Sequence, residues 1–242
     1  MCIDSRKLPK RCYKLVKVKK LQDGKFSLLI DGRILKTTGG YHLLLPSRRI
    51  AHLIRIEWTE QRDSINLKTM PSTRLANTAL DKVSNHMQAI KEDIIRYTES
   101  DLLCYRAFGP EALVSMQARL WDPILEWARS RLGARMQVIK GIVHQPQSLE
   151  SIAIISDRVA MIECPFVLAA IHMLTNITGS CIIALCILDN ALSLEEAWTA
   201  ARVDEKWNIS QWGEDEASEN SAKTCFLDME AAYRFVRSLP LL

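Results

Sequence analysis

The chain has 242 residues, enough for one large domain or two small ones, and its 48% hydrophobic and 25% charged content is that of an ordinary globular protein. The net charge of +4 is modest but unevenly spread: residues 1–62 hold 15 Lys/Arg against 5 Asp/Glu, and residues 189–230 hold 3 against 11. A chain basic at the front and acidic at the back suits oppositely charged partners, or contact between its own ends.

Seven cysteines, at 2, 12, 104, 164, 181, 186 and 225, are an odd number with no Cys-x-x-Cys pair. Several sit in apolar runs, where a free thiol behaves as a small hydrophobe, so a reducing compartment fits and a disulfide framework does not. The first twelve residues are basic without a following apolar stretch, which excludes a secretory signal and leaves an organelle presequence open.

The front of the chain reads as β. Cys12–Lys20 breaks Tyr13, Val16 and Val18 with lysines in near alternation, as in a half-exposed strand. Asp23-Gly24 and Asp31-Gly32 are turn signals that bracket Lys25–Ile30, and Arg33–Lys36 follows. Gly39-Gly40 then introduces a fourth strand, Tyr41–Leu45, to complete a small antiparallel meander ending near Pro46. The lysines invite a nucleic-acid reading, but interleaved aromatics are few and no RNA-binding motif appears, so they read as solvated strand faces.

The period changes after residue 46. Ser47 is placed to cap a helix over Arg48–Gln61, with Ile50, Leu53, Ile54 and Trp58 on one face. Pro71 with Ser72 and Thr73 is a stop-and-start signal, and helical spacing resumes over Arg74–Val83 and again over Ser84–Glu99. The short apolar run Asp101–Phe108 holds Arg106, whose burial would need a carboxylate; Asp101 and Asp81 are candidates.

Pro110–Leu132 is strongly helical, with a break or kink expected where Asp122 can cap a fresh start at Pro123. Gly133–Ile142 reads as a short strand or extended connector, and Ser148–Glu163 as a helix. From Pro165 to Leu188 no residue is charged, long enough to span a bilayer. His172, Asn176 and Ser180 lie four apart within it and no basic cluster flanks it, so it reads as one central helix buried all round. Asp228–Ser238 reads as a short closing helix. The fold class is therefore α+β: a small antiparallel β domain over 1–46 and a mainly helical domain over 47–242.

Residues 194–217 stand apart. They hold three of the six tryptophans, Trp198, Trp207 and Trp212, among a dense run of acids. Ser193 with Glu196 makes a capping box, Val203 and Trp207 fit one apolar helical seam, and Trp212-Gly213 reads as the helix end before Glu214, Asp215 and Glu216. Aromatics beside carboxylates suit a protein-contact surface, and equally an amphipathic helix with a wet face.

Catalytic patterns are thin. There is no Gly-x-Ser-x-Gly, P-loop or dinucleotide glycine pattern, and Cys181 and Cys186 lack a zinc-ligand spacing, so neither metal nor cofactor is expected. His172 reads as a packed, hydrogen-bonded histidine. An alternative is a carboxylate-dependent hydrolase using Glu205 and Glu216 as acid and base.

Read together, several stretches resemble the Atp12 family of F1-ATPase assembly chaperones. They are Arg11-Cys12-Tyr13-Lys14, Asp31-Gly32-Arg33, Glu57-Trp58-Thr59-Glu60-Gln61, the run from Met70 through Arg74 and Asn77 to Ala79, and the run from Asp101 through Arg106 to Ala107. Gln117, Trp121-Asp122-Pro123, Glu126-Trp127, Gly179-Ser180, Asp204-Glu205-Lys206-Trp207, Gln211-Trp212-Gly213 and Glu216 follow in family order. Cys12, Thr38-Gly39, Ser72 and Asn208 depart from the usual pattern at packing or turn positions. The resemblance implies a β domain followed by a helical one, and a monomeric binding protein without cofactor that looks after the free F1 α subunit. It implies no nucleic acid and no stable membrane insertion, in the bacterial cytoplasm or, in a eukaryote, the mitochondrial matrix. It also implies a functionally important acid in the tryptophan-rich region, for which Glu205 and Glu216 are the candidates. Asp204 and Trp212 stand beside them as protein-binding residues, while Trp58, Arg74, Asn77, Arg106, Trp121, Asp122 and Trp207 are expected to build the framework. Trp207 and Trp212 are expected to fix the helix and its end in the core.

Overall fold

The computed structural model describes residues 8–141, 143–213 and 216–239; the expectations for Cys2, Ile142, Glu214 and Asp215 lie outside them. The chain divides into two compact units, Met1–Asn85 and His86–Leu242. The change from strand to helix period near residue 46 therefore falls inside the first unit, where the first helix packs on the sheet and the second helix packs on the first.

In the first unit, β1 (Val16–Lys20), β2 (Phe26–Ile30) and β3 (Arg33–Ile34) form an antiparallel sheet in that order. Asp31 and Gly32, at φ 47° and 84°, make the tight turn that pairs Ile30 with Arg33. The Asp31 carboxylate also accepts the amides of Lys14 and Leu15, tying the lead-in of β1 to that turn. The expected fourth strand is reduced to two isolated bridges, Lys36–His42 and Phe26–Leu45, although Leu43 and Leu45 are fully buried. Helix α1 (Arg48–Glu60) starts at Ser47, whose hydroxyl accepts the Ile50 amide, and buries Ile50, Ala51 and Ile54. It packs on β1, β2 and α2 (Pro71–Asp81).

The second unit is built on α6 (Pro165–Thr178) and α7 (Cys181–Leu188). Every residue of α7 is buried, and α6 packs against α7, α3 (Met87–Glu99) and α10 (Glu216–Arg237). The expected single helix over 165–188 is in fact two. Gly179 takes a left-handed conformation at φ 67° and Ser180 caps α7, so the polar residues in the middle of the run are a corner. Among the described residues no helix is long and apolar enough to cross a membrane.

Three further expectations are corrected. Helix α4 (Glu111–Trp127) runs through Pro123 without a fresh start, because buried Trp121 and Ile124 anchor both sides of the one lost amide. The tryptophan-rich stretch is two helices, α8 (Leu194–Ala201) and α9 (Val203–Trp212), parted at Arg202, so Trp198 and Trp207 share no continuous seam. The closing helix, α10, begins twelve residues earlier than Asp228. A parallel pair, β4 (Tyr105–Arg106) with β5 (Ile139–Lys140), and α5 (Leu149–Ala160), capped by Ser148, complete the unit.

Candidate functional site

The site grows from α8, α9 and the first turns of α10. The capping box is formed: the Ser193 hydroxyl accepts the Glu196 amide and the Glu196 carboxylate accepts the Ser193 amide. It fixes the start of α8, which carries Trp198 one turn on. The Trp198 ring meets Phe226 of α10 edge-on at 5.2 Å between centroids, and the Arg202 guanidinium lies 4.5 Å over its face. Arg202 in turn pairs with Glu205. Glu205 is thus the outer end of a stack running from its carboxylate through Arg202 and Trp198 to Phe226.

Between α8 and α10 this stack borders an open apolar groove of about 720 Å³, lined by Trp198, Phe226 and half-exposed Leu227 with Glu195, Glu219 and Lys223 at its rim. Glu219 and Lys223 pair with each other across one turn of α10. Phe226 and Leu227 were missed in the sequence because the closing helix was started at Asp228. The spacing of Ala222, Phe226 and Met229 carries the helical period back past that point.

The remaining predicted contact residues scatter. Asp204 is exposed but tied to a buried side chain: its Oδ1 accepts the Gln117 amide at 2.7 Å, while the Gln117 oxygen accepts the Ala107 backbone amide at 2.9 Å. Asp204 is therefore a fastening between α9 and α4. Trp207 is half-buried, whereas Trp212 is 87% exposed, which corrects the expectation that it sits in the core. Gly213 ends α9 at φ 81°, ψ 172°, a backbone region open only to glycine, so the ring is left projecting from the last helical turn. Glu216 is exposed at the start of α10. Glu205 is engaged by Arg202, and among the described residues no contact joins it to Glu216 in support of the hydrolase alternative.

A family model described as ATP12 chaperone protein matches residues 10–129. The crystal structure of the Atu1473 protein from Agrobacterium tumefaciens superposes with a TM-score of 0.92 at 44% identity, covering 96% of this chain and 87% of that one. Atp12 from Paracoccus denitrificans superposes at 0.87 with 34% identity, covering 95% and 97%. This chain belongs to the Atp12 family. The mitochondrial protein atp12 of Schizosaccharomyces pombe is 26% identical over 209 residues, 80% of this chain and 70% of that protein.

Much of the Atp12 motif set makes contacts within one unit or the other. In the first unit Trp58 packs at 5.7 Å from the Tyr13 ring, and the Tyr13 hydroxyl donates to the Trp58 carbonyl. Glu57, next to it, supplies the cap that α2 lacks. Its two oxygens accept the Ser72 and Thr73 amides and the Thr73 hydroxyl at 2.6–2.8 Å. Burial pushes the Glu57 carboxyl above its usual range against those hydrogen bonds. Arg74 and Asn77 are half-buried on the helix it starts.

In the second unit Arg106 is buried, but its carboxylate is Asp122 at 2.8 Å. Asp101 is spent elsewhere, and Asp81 belongs to the first unit, where it accepts from Thr38 and the Gly39 amide. Arg106 also donates to the Leu103 carbonyl and stacks 5.1 Å over Trp121, whose Nε1 donates to the Ala200 carbonyl at 2.8 Å. Asp101 is fully buried and accepts the amides of Leu103 and Ile182, and burial raises its pKa to about 6. The buried thiols of Cys104, Cys181 and Cys186 are pushed up by burial too, which keeps them protonated and inert. His172 is hydrogen-bonded to Asp93 at 2.6 Å and partly exposed.

Proposed function

We propose that this Atp12-family chain binds the free α subunit of F1-ATPase and promotes assembly of the F1 sector of ATP synthase, acting as a monomer without cofactor. An unassembled subunit exposes apolar surface that would self-associate, and a chaperone must cover it reversibly. The observation that carries the reading is the apolar groove of Trp198, Phe226 and Leu227, together with an exposed indole, Trp212, on the most acidic segment of the chain. Apolar anchors within a charged rim suit protein contact without chemistry. Glu205 and Glu216, flanking Trp212 in sequence, are the acids we assign to that contact. The setting would be the bacterial cytoplasm or, in a eukaryote, the mitochondrial matrix.

The test is a pull-down with separated F1 subunits, followed by co-expression to ask which subunit becomes soluble. Capture and solubilisation of α support the assignment; binding to β alone, or to neither, overturns it.

A further inference from the structure

We propose that the first unit carries a phosphate-binding groove between α1 and β1. Two sequence periods, one helical and one of a strand, bring its lining together. Arg48, His52 and Arg55 lie at i, i+4 and i+7 and so share one face of α1, while Val16, Val18 and Lys20 lie at i, i+2 and i+4 and share one face of β1. Because α1 packs on β1, the two faces border a groove of about 480 Å³ with Phe26 in its lining. Among the described residues no carboxylate lines it.

Four of the side chains that line it, Lys17, Lys20, Arg48 and Arg55, are basic. Among the described residues none of the four forms an ion pair with a carboxylate. The Arg55 Nε–H is buried and meets no acceptor. A buried donor of that kind is uncommon and costs stability unless a group absent from the chain receives it. Arg48 donates its own Nε–H to His52 Nε2 at 3.3 Å, which leaves its terminal nitrogens for another acceptor. Arg48 also stands in the first turn of the thirteen-residue α1, where the helix dipole adds positive potential.

The charge count selects the ligand. A single carboxylate would leave most of the positive charge uncompensated. A phosphate group brings nearly two negative charges and three acceptor oxygens in a shape that guanidinium forks match. The apolar strip of Val16, Val18 and Phe26 gives the remainder of a phosphate ester a surface to lie on. The phosphate is that of a soluble polyphosphate-type anion or of an anionic lipid headgroup; the chemistry recognised is the same.

Isothermal titration of the full chain with sodium triphosphate, beside co-sedimentation with phosphatidylglycerol–phosphatidylcholine vesicles, tests this. One site is expected, weakened about tenfold or more by Arg48→Gln and by Arg55→Gln, each of which removes a charge-assisted bond. Lys20 and Arg48 are exposed, so Lys20→Gln and Arg48→Gln keep the test valid if Arg55→Gln misfolds. Arg33→Gln, on β3 at the opposite edge of the sheet, removes equal charge outside the groove and should leave binding within about twofold. Triphosphate binding alone assigns a soluble ligand, and vesicle binding displaced by triphosphate assigns a headgroup. Binding to neither, vesicle binding that triphosphate does not displace, or equal weakening by Arg33→Gln would overturn the proposal.

Discussion

Replacing Glu205 by Gln separates a client contact from a structural role, because the structure bounds what the residue can be worth to the fold. Its carboxylate is 42% exposed and its partner Arg202 15% exposed, on the same turn. Two unit charges in contact attract by about 1 kcal/mol in water and about 4 kcal/mol under the screening typical of a protein surface. Desolvation and side-chain ordering cancel most of that, leaving about 0.2–1 kcal/mol for a pair this exposed. Arg202, which lies 4.5 Å over the Trp198 ring, should keep its place without the carboxylate. The substitution should therefore lower the melting temperature by no more than about 4 °C. Glu216→Gln, which touches an exposed side chain at the start of α10, should lower it less. If the acids face the client, at least one substitution should cut the yield of soluble F1 α on co-expression several-fold with the melting temperature nearly unchanged. Full yield with both variants would refute the assignment. A fall of some 10 °C or more for Glu205→Gln would refute the stability reasoning, and with it the claim that Arg202 holds its place alone.

The other expectations concern the framework and the exposed indole. Glu57→Ala removes the cap of α2 and leaves the Thr73 amide and hydroxyl without their acceptor; a cost of about 2–4 kcal/mol is expected, read as hydrogen exchange of the α2 amides faster by about 30-fold or more. Asp101, with its folded pKa raised from 3.8 to about 6, binds a proton more readily in the folded chain than in the unfolded one. Its contribution therefore makes stability fall as pH rises from about 4 to about 6, and Asp101→Asn should flatten that part of a urea-stability profile by up to about 3 kcal/mol. A profile of unchanged slope would show that the carboxyl titrates normally. Trp121→Phe strands the Ala200 carbonyl and loosens the stack on Arg106, at about 1–3 kcal/mol by thermal unfolding. Trp212→Ala, at a ring 87% exposed, should leave stability within about 0.5 kcal/mol while weakening capture of F1 α; unchanged capture would remove Trp212 from the contact.

What the sequence disclosed followed the range of each signal. The Asp31-Gly32 turn, the Ser47 cap and the Ser193–Glu196 box are written in residues at most three apart, and all three are formed. Signals that depend on distant partners did not show. Nothing in the chain says that Arg106 chooses Asp122 over Asp101, because that depends on Asp101 facing the amide of Ile182, eighty-one residues on. Uncharged length alone could not distinguish one helix from two over 165–188, yet Gly179-Ser180, already prominent as a motif, is the C-cap and N-cap pair that divides them. Trp212 misled because a large aromatic beside a helix end suits a core as well as a surface. Only the fold shows that Gly213 leaves it outside.

The distribution of charge acquires a physical role from the two sites. Glu195 and Glu219 stand with Lys223 at the rim of the apolar groove in the second unit, while the uncompensated cations of the first unit border a different groove. Charge at the rim acts mainly on encounter and on rejecting wrong partners, and the buried apolar anchors govern how long a complex lasts. In the proposed chaperone the anchors are few: two indoles, one phenyl ring and a leucine. Each aromatic buries about 150–250 Å² at most, and ordering and lost motion take back much of the gain, so such a surface holds a client without trapping it. That is what an assembly factor requires, since its client must leave for a larger and more apolar interface with its permanent partner. The stack from Glu205 through Arg202 to Trp198 fits the same logic, because it braces one wall of the groove from the solvent side and leaves the apolar floor free for the client.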